Sequence, residues 1–543
     1  MLHTLELENF KAFGERARIP FAPITLIFGE NSAGKSTILQ ALNLLKQTLE
    51  SRESAALLLP RDENGIVDLG SFQEMLFNHD LKRTLSIRVE SEKQIRAGDA
   101  VPARYSGHKK NKAALEFSFK RSSVEEEVIL EQIGIYDAVS DKCLAKFQPL
   151  DGTEDTEDFP AQVRFLVDSV RSSGFPVSKL NLAKCVWVTS QLEYWKSEFE
   201  WCKKNKEEIR HELKEELTKL ERSNEGPQEG NKKFEKRLKS LKDSIKFLSS
   251  DFALKNYIVK RHNEEMKTVI ELRSFRPYIS FEGNSWVTSL RALLDRRKML
   301  GDTEIFDFNP VGLTMAVGGA LEQTLEMLYP MSPFRRAPER WYIFRGTSPQ
   351  NVGYRGDLLP DLLFRHHELV EETNEWLKRL EIDYELEVKP VGTDSGDLFE
   401  VRLIDTRRKE RVSVALPDVG FGVSQLLPFI VQSLVSEERI ISIEQPEVHV
   451  HPKLQADLGD LLAAAIKEPR HNHFILETHS EHLILRLQRL VYEKHIEPED
   501  ISVIYVSRGS DGSEVQRLHL DEEGDFIDEW PNGFFPERLR ELR

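Results

Sequence analysis

The chain has 543 residues, 40% hydrophobic and 31% charged, with a formal net charge of −16; this length suits roughly two to four domains with a sizeable core, and the acidity argues against a surface that attracts nucleic acid globally. No run approaches the roughly 18 apolar residues of a membrane span, and Met1-Leu2-His3-Thr4-Leu5-Glu6 is not a signal peptide, so a cytoplasmic protein without membrane contact is expected. Three scattered cysteines, Cys143, Cys185 and Cys202, exclude a disulfide framework and a cysteine-type zinc site.

Residues 2–10 alternate apolar and polar like a half-buried strand, and a second strand brings the chain to Phe21. The apolar run Ile24-Thr25-Leu26-Ile27-Phe28 is followed by Gly29-Glu30-Asn31-Ser32-Ala33-Gly34-Lys35-Ser36-Thr37 and then by a helical segment to Leu45. Strand, glycine loop and helix in that order form the context of a phosphate-binding loop. Its glycines let backbone N–H groups turn inward around a phosphate chain at a helix N-terminus. Lys35 can reach the β- and γ-phosphates, and the Ser36 hydroxyl can ligate Mg²⁺. The order Leu7-Glu8-Asn9-Phe10-Lys11-Ala12-Phe13, then Ile24 to Thr37, resembles the N-terminus of ABC-type ATPases of the SMC and RecF group. In that family a loop after the first helix carries a glutamine sensing Mg²⁺ and the γ-phosphate; Gln73, within Val67 to Asp80, is the candidate, with a plain surface glutamine as the alternative.

Segments 84–90, 114–120, 126–136 and 143–148 read as short strands of an antiparallel layer, with a polar loop over 98–112. From about Leu192 to Glu271 the composition shifts to Glu, Lys and Leu. Phe234, Leu238, Leu241, Ile245 and Leu248 follow heptad spacing, and Leu192, Trp195, Phe199, Cys202, Ile209, Leu213 and Leu220 follow it less regularly. The breaker Ser223 to Gly230 separates them, so an antiparallel helical hairpin with arms of roughly 45 Å is expected. Residues 231–246 carry seven Lys/Arg against two acids. They form either a solvated face or a contact for nucleic acid or an acidic partner.

Residues 280–340 read as mainly helical, Met331 to Arg340 as a loop, Trp341 to Phe344 as a strand and Leu359 to Leu380 as a helix. Strand alternation returns at Tyr384–Val388 and Phe399–Leu403. Next, Asp418-Val419-Gly420-Phe421-Gly422-Val423-Ser424-Gln425 precedes an apolar helix and offers a second anion cradle. It is similar to the ABC signature motif of the OLD-like and RecF-like ATPases, in which Gly420, Gly422 and Ser424 would read a γ-phosphate held by the other protomer. The strand Ile440–Ile443 ends at Glu444-Gln445-Pro446-Glu447, and a strand-end acid can hold the Mg²⁺ water shell opposite Ser36. The resemblance makes Glu444 the Walker B acid. Gln445 stands where the family has a glutamate that polarises water; an amide cannot accept the proton, so slow turnover is expected, with Glu447 as the nearest alternative base. A further buried strand, Phe474 to Glu477, leads to His479, which matches the family's switch histidine. The clustering of His449, His451, His471, His473 and His479 leaves a metal-hydrolase reading open.

The tail from Ile501 to Phe535 resembles a C-terminal domain of uncharacterised function carried by some OLD-like ATPases, among them the ATPase subunit of Septu-type antiphage defence, found also with retrons. OLD nucleases continue into a Toprim domain, for which the 64 residues after His479 are too few. The resemblance therefore implies an α/β fold: an ABC-type head with a mixed sheet, flanking helices and an antiparallel β layer. A mainly helical insertion would contain the hairpin. The expected divisions are 1–150, 151–380 and 381–543. ATP and Mg²⁺ are the implied cofactors, a homo-oligomer paired through its heads the implied assembly, and a separate effector nuclease the implied partner. Two other readings stay open: a DNA-repair or chromosome-maintenance ATPase, and a nucleotide-gated scaffold with negligible hydrolysis.

Overall fold

The computed structural model describes residues 1–50, 58–62, 65–93, 111–121, 128–138, 143–149, 180–181, 268–273, 276–281, 310–392, 397–407 and 409–531, with a few isolated positions. The chain divides into two compact units. The first comprises 1–91, 119–129 and 321–543, and the second 92–118 and 130–320.

The first unit is built on a six-stranded sheet. In chain order its strands are β3 (Ile24–Gly29), β11 (Leu328–Met331), β16 (Ile440–Glu444), β17 (His473–Glu477), β18 (Ile501–Gly509) and β19 (Gly512–Leu518), and in space they run β11-β16-β17-β3-β18-β19. All neighbours are parallel except the β18/β19 pair. The near-continuous apolar runs explain this: Ile24, Leu26, Ile441, Ile443, Phe474, Leu476, Val503 and Ile504 are at most 2% exposed, as expected of strands covered on both faces. Pro330, which lacks an N–H, lies on the edge strand β11. Register places Glu444 beside Glu477, and Glu477 beside Ile27. The carboxyl ends of β3, β16 and β17 therefore open at one edge of the sheet, where ligands of such sheets bind.

Helices α6 (Phe421–Val435), α7 (Pro452–Ala465) and α8 (Glu481–Tyr492) carry apolar faces into one core, through Leu427, Leu462 and Leu487 among others, and α1 (Lys35–Glu50) buries Leu42 among other apolar residues. The short helix α2 (Phe72–Met75) follows α1, and α3 (Pro310–Glu326) precedes β11. Strands β1 (Leu2–Glu8), β2 (Ala17–Pro20) and β4 (Leu85–Lys93) form the expected antiparallel layer. A small antiparallel sheet joins β12 (Tyr342–Ile343), β13 (Tyr384–Pro390), β14 (Leu398–Asp405) and β15 (Ser413–Ala415). The helix expected over 359–380 is two, α4 (Leu359–Arg365) and α5 (His367–Arg379), because His366 leaves helical backbone angles. Buried Leu369, Trp376 and Leu377 seat α5 in the main core. Residues 321–380 thus belong with the first unit and not with the expected insertion over 151–380.

The expected strands 114–120, 126–136 and 143–148 are β5 (Asn111–Arg121), β6 (Val128–Asp137) and β7 (Cys143–Pro149). Beside β7 lies β8 (Leu180–Asn181), and β9 (Thr268–Arg273) pairs with β10 (Arg276–Phe281) as an antiparallel hairpin. The run Thr268-Val269-Ile270 is β-branched, which favours strand over the helix expected up to Glu271. The rest of the helical hairpin, its basic arm 231–246 and most of the 98–112 loop lie outside the described residues, apart from isolated positions. No described helix is long and apolar enough to cross a membrane. The observed architecture is α/β, with mixed and antiparallel sheets as expected.

Candidate nucleotide site at the strand ends

The loop after β3 is held by short-range bonds and by the far end of the chain. Gly29 has φ +142°, and a side chain there would collide with the Val506 carbonyl of the neighbouring strand. Gly34 has φ +98°, and a Cβ would lie 2.6 Å from Ala12 Cβ and 2.8 Å from Ser513 Oγ. Only glycine accepts both the angle and the crowding. Ala33 N–H donates to the Glu30 carbonyl and Thr37 N–H to the Gly34 carbonyl, at 3.2 and 3.1 Å. From β18 and β19, Arg508 Nη2 donates to the Asn31 carbonyl at 3.0 Å and Ser513 Oγ to the Ala33 carbonyl at 2.6 Å. Two residues from the chain's far end thus brace the loop.

Lys35 is 4% exposed, and its Nζ donates to the carbonyls of Gly29 and Glu30, at 3.1 and 2.8 Å. Burial lowers its pKa, opposed by the carboxylate of Glu477. That carboxylate also accepts a hydrogen bond from the Ser36 hydroxyl. Burial pushes the Glu477 acid up, against Ser36 and Lys35, and its Oε2 is buried without a hydrogen bond. Beside it, Glu444 is pushed up to about 7 by burial and by Glu477. A buried carboxylate with an orphan oxygen and a half-buried one beside it, next to a serine hydroxyl, form a donor set suited to a small hard cation that also takes phosphate oxygens. Ser36, Glu444 and Glu477 would hold Mg²⁺ there, supplying charge stabilisation to a phosphate chain. Glu477 is absent from the sequence-level candidates, although its signal was present: a second apolar strand ending in an acid, as the strand ending in Glu444 does.

A cleft of about 730 Å³ opens over this set, lined on the loop side by Asn31, Ser32, Gly34, Lys35, Ser36 and Thr37, and on the strand side by Gln445, Glu477 and His479. Lys11, Ala12 and Gln40 complete it with Glu74, Leu76, Asn78 and His79. Gly29, Glu30 and Ala33 belong to the same loop but do not line the cleft. Gln445 carries φ +47°, and its N–H donates to the Glu477 carbonyl at 2.7 Å. Burial, with Lys35 adding to it, lowers the His479 pKa, so the imidazole is neutral at pH 7. The His479 N–H donates to Glu447 Oε1 at 2.7 Å, while Glu447 Oε2 is buried without a partner. Burial raises the Glu447 acid as well, opposed by that bond. Neither Glu444 nor Glu447 lines the cleft.

Gln73 departs from its expected place. It is exposed on α2 and does not line the cleft, whereas Glu74, Asn78 and His79 after it do. The four-residue helix is set by a capping box between Ser71 and Glu74, which fixes which side chains turn inward. Gly420 caps α6, a Cβ on Gly422 would lie 2.5 Å from the His449 carbonyl, and Ser424 is 8% exposed. None of the three lines the cleft. His451 caps α7 through Nδ1, at 3.3 Å from the Lys453 N–H, and among the described residues no three His, Cys, Asp or Glu come together as a metal-ion cluster. The metal-hydrolase reading therefore finds no ligand set among them.

The family described as an AAA ATPase domain matches residues 1–284 and 361–484, about three quarters of the chain. The chain belongs to this family. As an AAA ATPase domain protein it is an ATPase, and the glycine loop, Glu444, Gln445 and His479 all lie within the matched residues. A second family, described as a protein of unknown function, matches residues 496–543, the tail that braces the loop. None of the curated proteins matches. Among solved structures, the Smc head domain with an extended coiled coil bound to the C-terminal domain of ScpA, from Pyrococcus furiosus, is 11% identical with a TM-score of 0.35, covering 100% of this chain and 99% of that one. The SMC head domain from Thermotoga maritima is 10% identical with a TM-score of 0.34, covering 96% and 99%. Likeness at this level carries no argument beyond the family assignment.

Proposed function

We propose that the chain binds ATP with Mg²⁺ in the strand-end cleft, hydrolyses it slowly, and uses ATP to pair two heads. The observation that carries this reading is the convergence of Lys35, Ser36, Glu477 and Glu444 at the open ends of β3, β16 and β17. Lys35 would exchange its two loop carbonyls for phosphate oxygens. Neutral His479 would meet the γ-phosphate at the mouth of the cleft. Gln445 can orient a water but not accept its proton, so Glu447 takes that proton in this reading.

Pairing is supported by the placement of Gly420, Gly422 and Ser424 outside the cleft that holds the glycine loop. A γ-phosphate in one head would then be read by Ser424 of a second copy. ATP favours the closed pair because only that state makes both sets of contacts. The paired state would gate a partner, and the resemblance to Septu-type ATPase subunits makes a separate nuclease in antiphage defence the proposed effector. The test is the mass of the purified chain in solution with and without ATP and Mg²⁺, with phosphate release followed in the same samples. Nucleotide-dependent doubling with slow release supports gating. A constant mass with brisk release contradicts it and points to DNA as the substrate, through the basic arm 231–246.

A further inference from the structure

The hairpin of β18 and β19 lies within residues 496–543, the segment shared with a family of unknown function. β18 runs parallel to β3, pairing Tyr505 with Phe28 and Val506 with Gly29, so it ends beside the start of the glycine loop. The turn of the hairpin packs against residues 12–14. The Ser513 N–H donates to the Ala12 carbonyl at 2.8 Å, and a Cβ on Gly14 would lie 2.2 Å from the Asp511 carbonyl oxygen. Ala12 lines the cleft, as the glycine loop does. Ser513 therefore joins two parts of the lining, through its N–H to Ala12 and through Oγ to Ala33 of the loop.

The two loop carbonyls that the hairpin takes belong to alternate peptides. Arg508 Nη2 donates to that of Asn31 at 3.0 Å and Ser513 Oγ to that of Ala33 at 2.6 Å. In a trans peptide the C=O and the following N–H point in opposite directions. Holding these carbonyls toward the hairpin turns the N–H groups of Ser32 and Gly34 away from it, and both residues line the cleft. Neither N–H is spent on a backbone carbonyl among the described residues, whereas the Ala33 N–H between them closes back on Glu30. The loop does not hold this shape by local preference. Ser32 sits at φ +58°, a left-handed angle that a non-glycine residue keeps only where its surroundings impose it.

We infer that Arg508 and Ser513 are positioning residues for the nucleotide, and that this is the part the segment of unknown function plays in the site. Each keeps a loop carbonyl turned outward so that the N–H of the same peptide, from Ser32 or Gly34, meets phosphate oxygens. The inference rests on the reading that ATP occupies the cleft. Neither Arg508 nor Ser513 lines that cleft, so their loss should loosen the grip on phosphate without removing a group that takes part in hydrolysis.

Equilibrium binding of a fluorescent ATP analogue, steady-state hydrolysis and urea unfolding of the full chain test this. The variants are Ser513→Ala, the shape-matched pair Ser513→Val and Ser513→Thr, and Arg508→Met. Ser513→Ala and Ser513→Val should bind the analogue about tenfold more weakly, the size of one hydrogen bond, and Ser513→Thr within about threefold of wild type. KM should rise with Kd while kcat stays within about twofold. Arg508→Met should weaken binding about fivefold and keep that loss at roughly 1 M salt, where a long-range effect of its charge is screened. A purely structural role would instead lower the urea midpoint and leave the affinity of the folded protein unchanged. Wild-type affinity in Ser513→Ala overturns the inference for Ser513, and an Arg508→Met loss that vanishes in salt overturns it for Arg508. Should the Ser513 variants fail to fold, Arg508→Met, at an exposed position, carries the test. If wild type itself does not bind the analogue, the reading of the cleft as an ATP site fails.

Discussion

Replacing Gly34 by alanine separates backbone strain from crowding at the glycine loop. At φ +98° an L-residue is strained by about 1–2 kcal/mol. The added methyl would also lie 2.6 Å from Ala12 Cβ and 2.8 Å from Ser513 Oγ, well inside ordinary carbon contact, an overpacking worth about 1–3 kcal/mol. Ser513 cannot simply swing away, because its hydroxyl is committed to the Ala33 carbonyl. The sum is about 2–5 kcal/mol, offset by less than about 1 kcal/mol from the stiffer unfolded chain. Gly392 is the control: its φ is +90° and a methyl added there would meet no atom within 4 Å, so Gly392→Ala carries the strain without the overlap. Urea unfolding of both variants, with a titration of a fluorescent ATP analogue, reads the difference. Gly34→Ala should unfold at clearly lower urea than Gly392→Ala and bind the analogue at least tenfold more weakly, since the loop must shift to admit the methyl. Equal midpoints and normal binding by Gly34→Ala would refute the packing argument.

Glu444 makes the nucleotide-free fold sensitive to pH. Its folded pKa, about 7, lies above the unfolded 4.5. The native state therefore holds the extra proton, and this stability is fully present below pH 4.5 and lost as pH rises through 7. The loss is on the order of 3 kcal/mol; urea midpoints without Mg²⁺ should fall across that window, and Glu444→Gln should flatten the fall. Glu477→Gln removes the buried one of two adjacent carboxylates, so it should raise the melting temperature without Mg²⁺ while weakening Mg²⁺-dependent analogue binding about tenfold or more. A titration in Mg²⁺ against EDTA checks the second part. Asn472, fully buried, donates through Nδ2 to the carbonyls of Ser433 and Ser436 and accepts from the Arg439 N–H, joining the end of α6 to the start of β16. Asn472→Ala should cost about 2–4 kcal/mol by chemical unfolding, and a loss under about 1 kcal/mol would contradict this role.

Much of the head was legible because buried parallel strands read as unbroken apolar runs. Ile24–Phe28, Ile440–Ile443 and Phe474–Glu477 each announced a strand and placed the chemistry at its end. What the runs do not carry is which strands become neighbours. Glu477 is brought beside Glu444 by strand register and within reach of Ser36 at the start of α1. The braces from Arg508 and Ser513 reach the loop across 477 and 480 residues, a closeness that no local pattern encodes. Gln73 lies outside the cleft lining for a local reason, since four residues of helix and a capping box decide whether position 73 or 74 faces the cleft.

In the proposed function the nucleotide site is shared between two copies, and mixing two disabled variants tests that sharing. Lys35→Met removes the phosphate contact of the glycine loop, and Ser424→Arg blocks the signature segment. Each alone should release almost no phosphate from ATP. Mixed in equal amounts, half of the pairs would join an intact glycine loop to an intact Ser424 at one of their two sites, so about a quarter of wild-type activity should return. No recovery from two folded variants, or full activity from Ser424→Arg alone, would contradict the shared site.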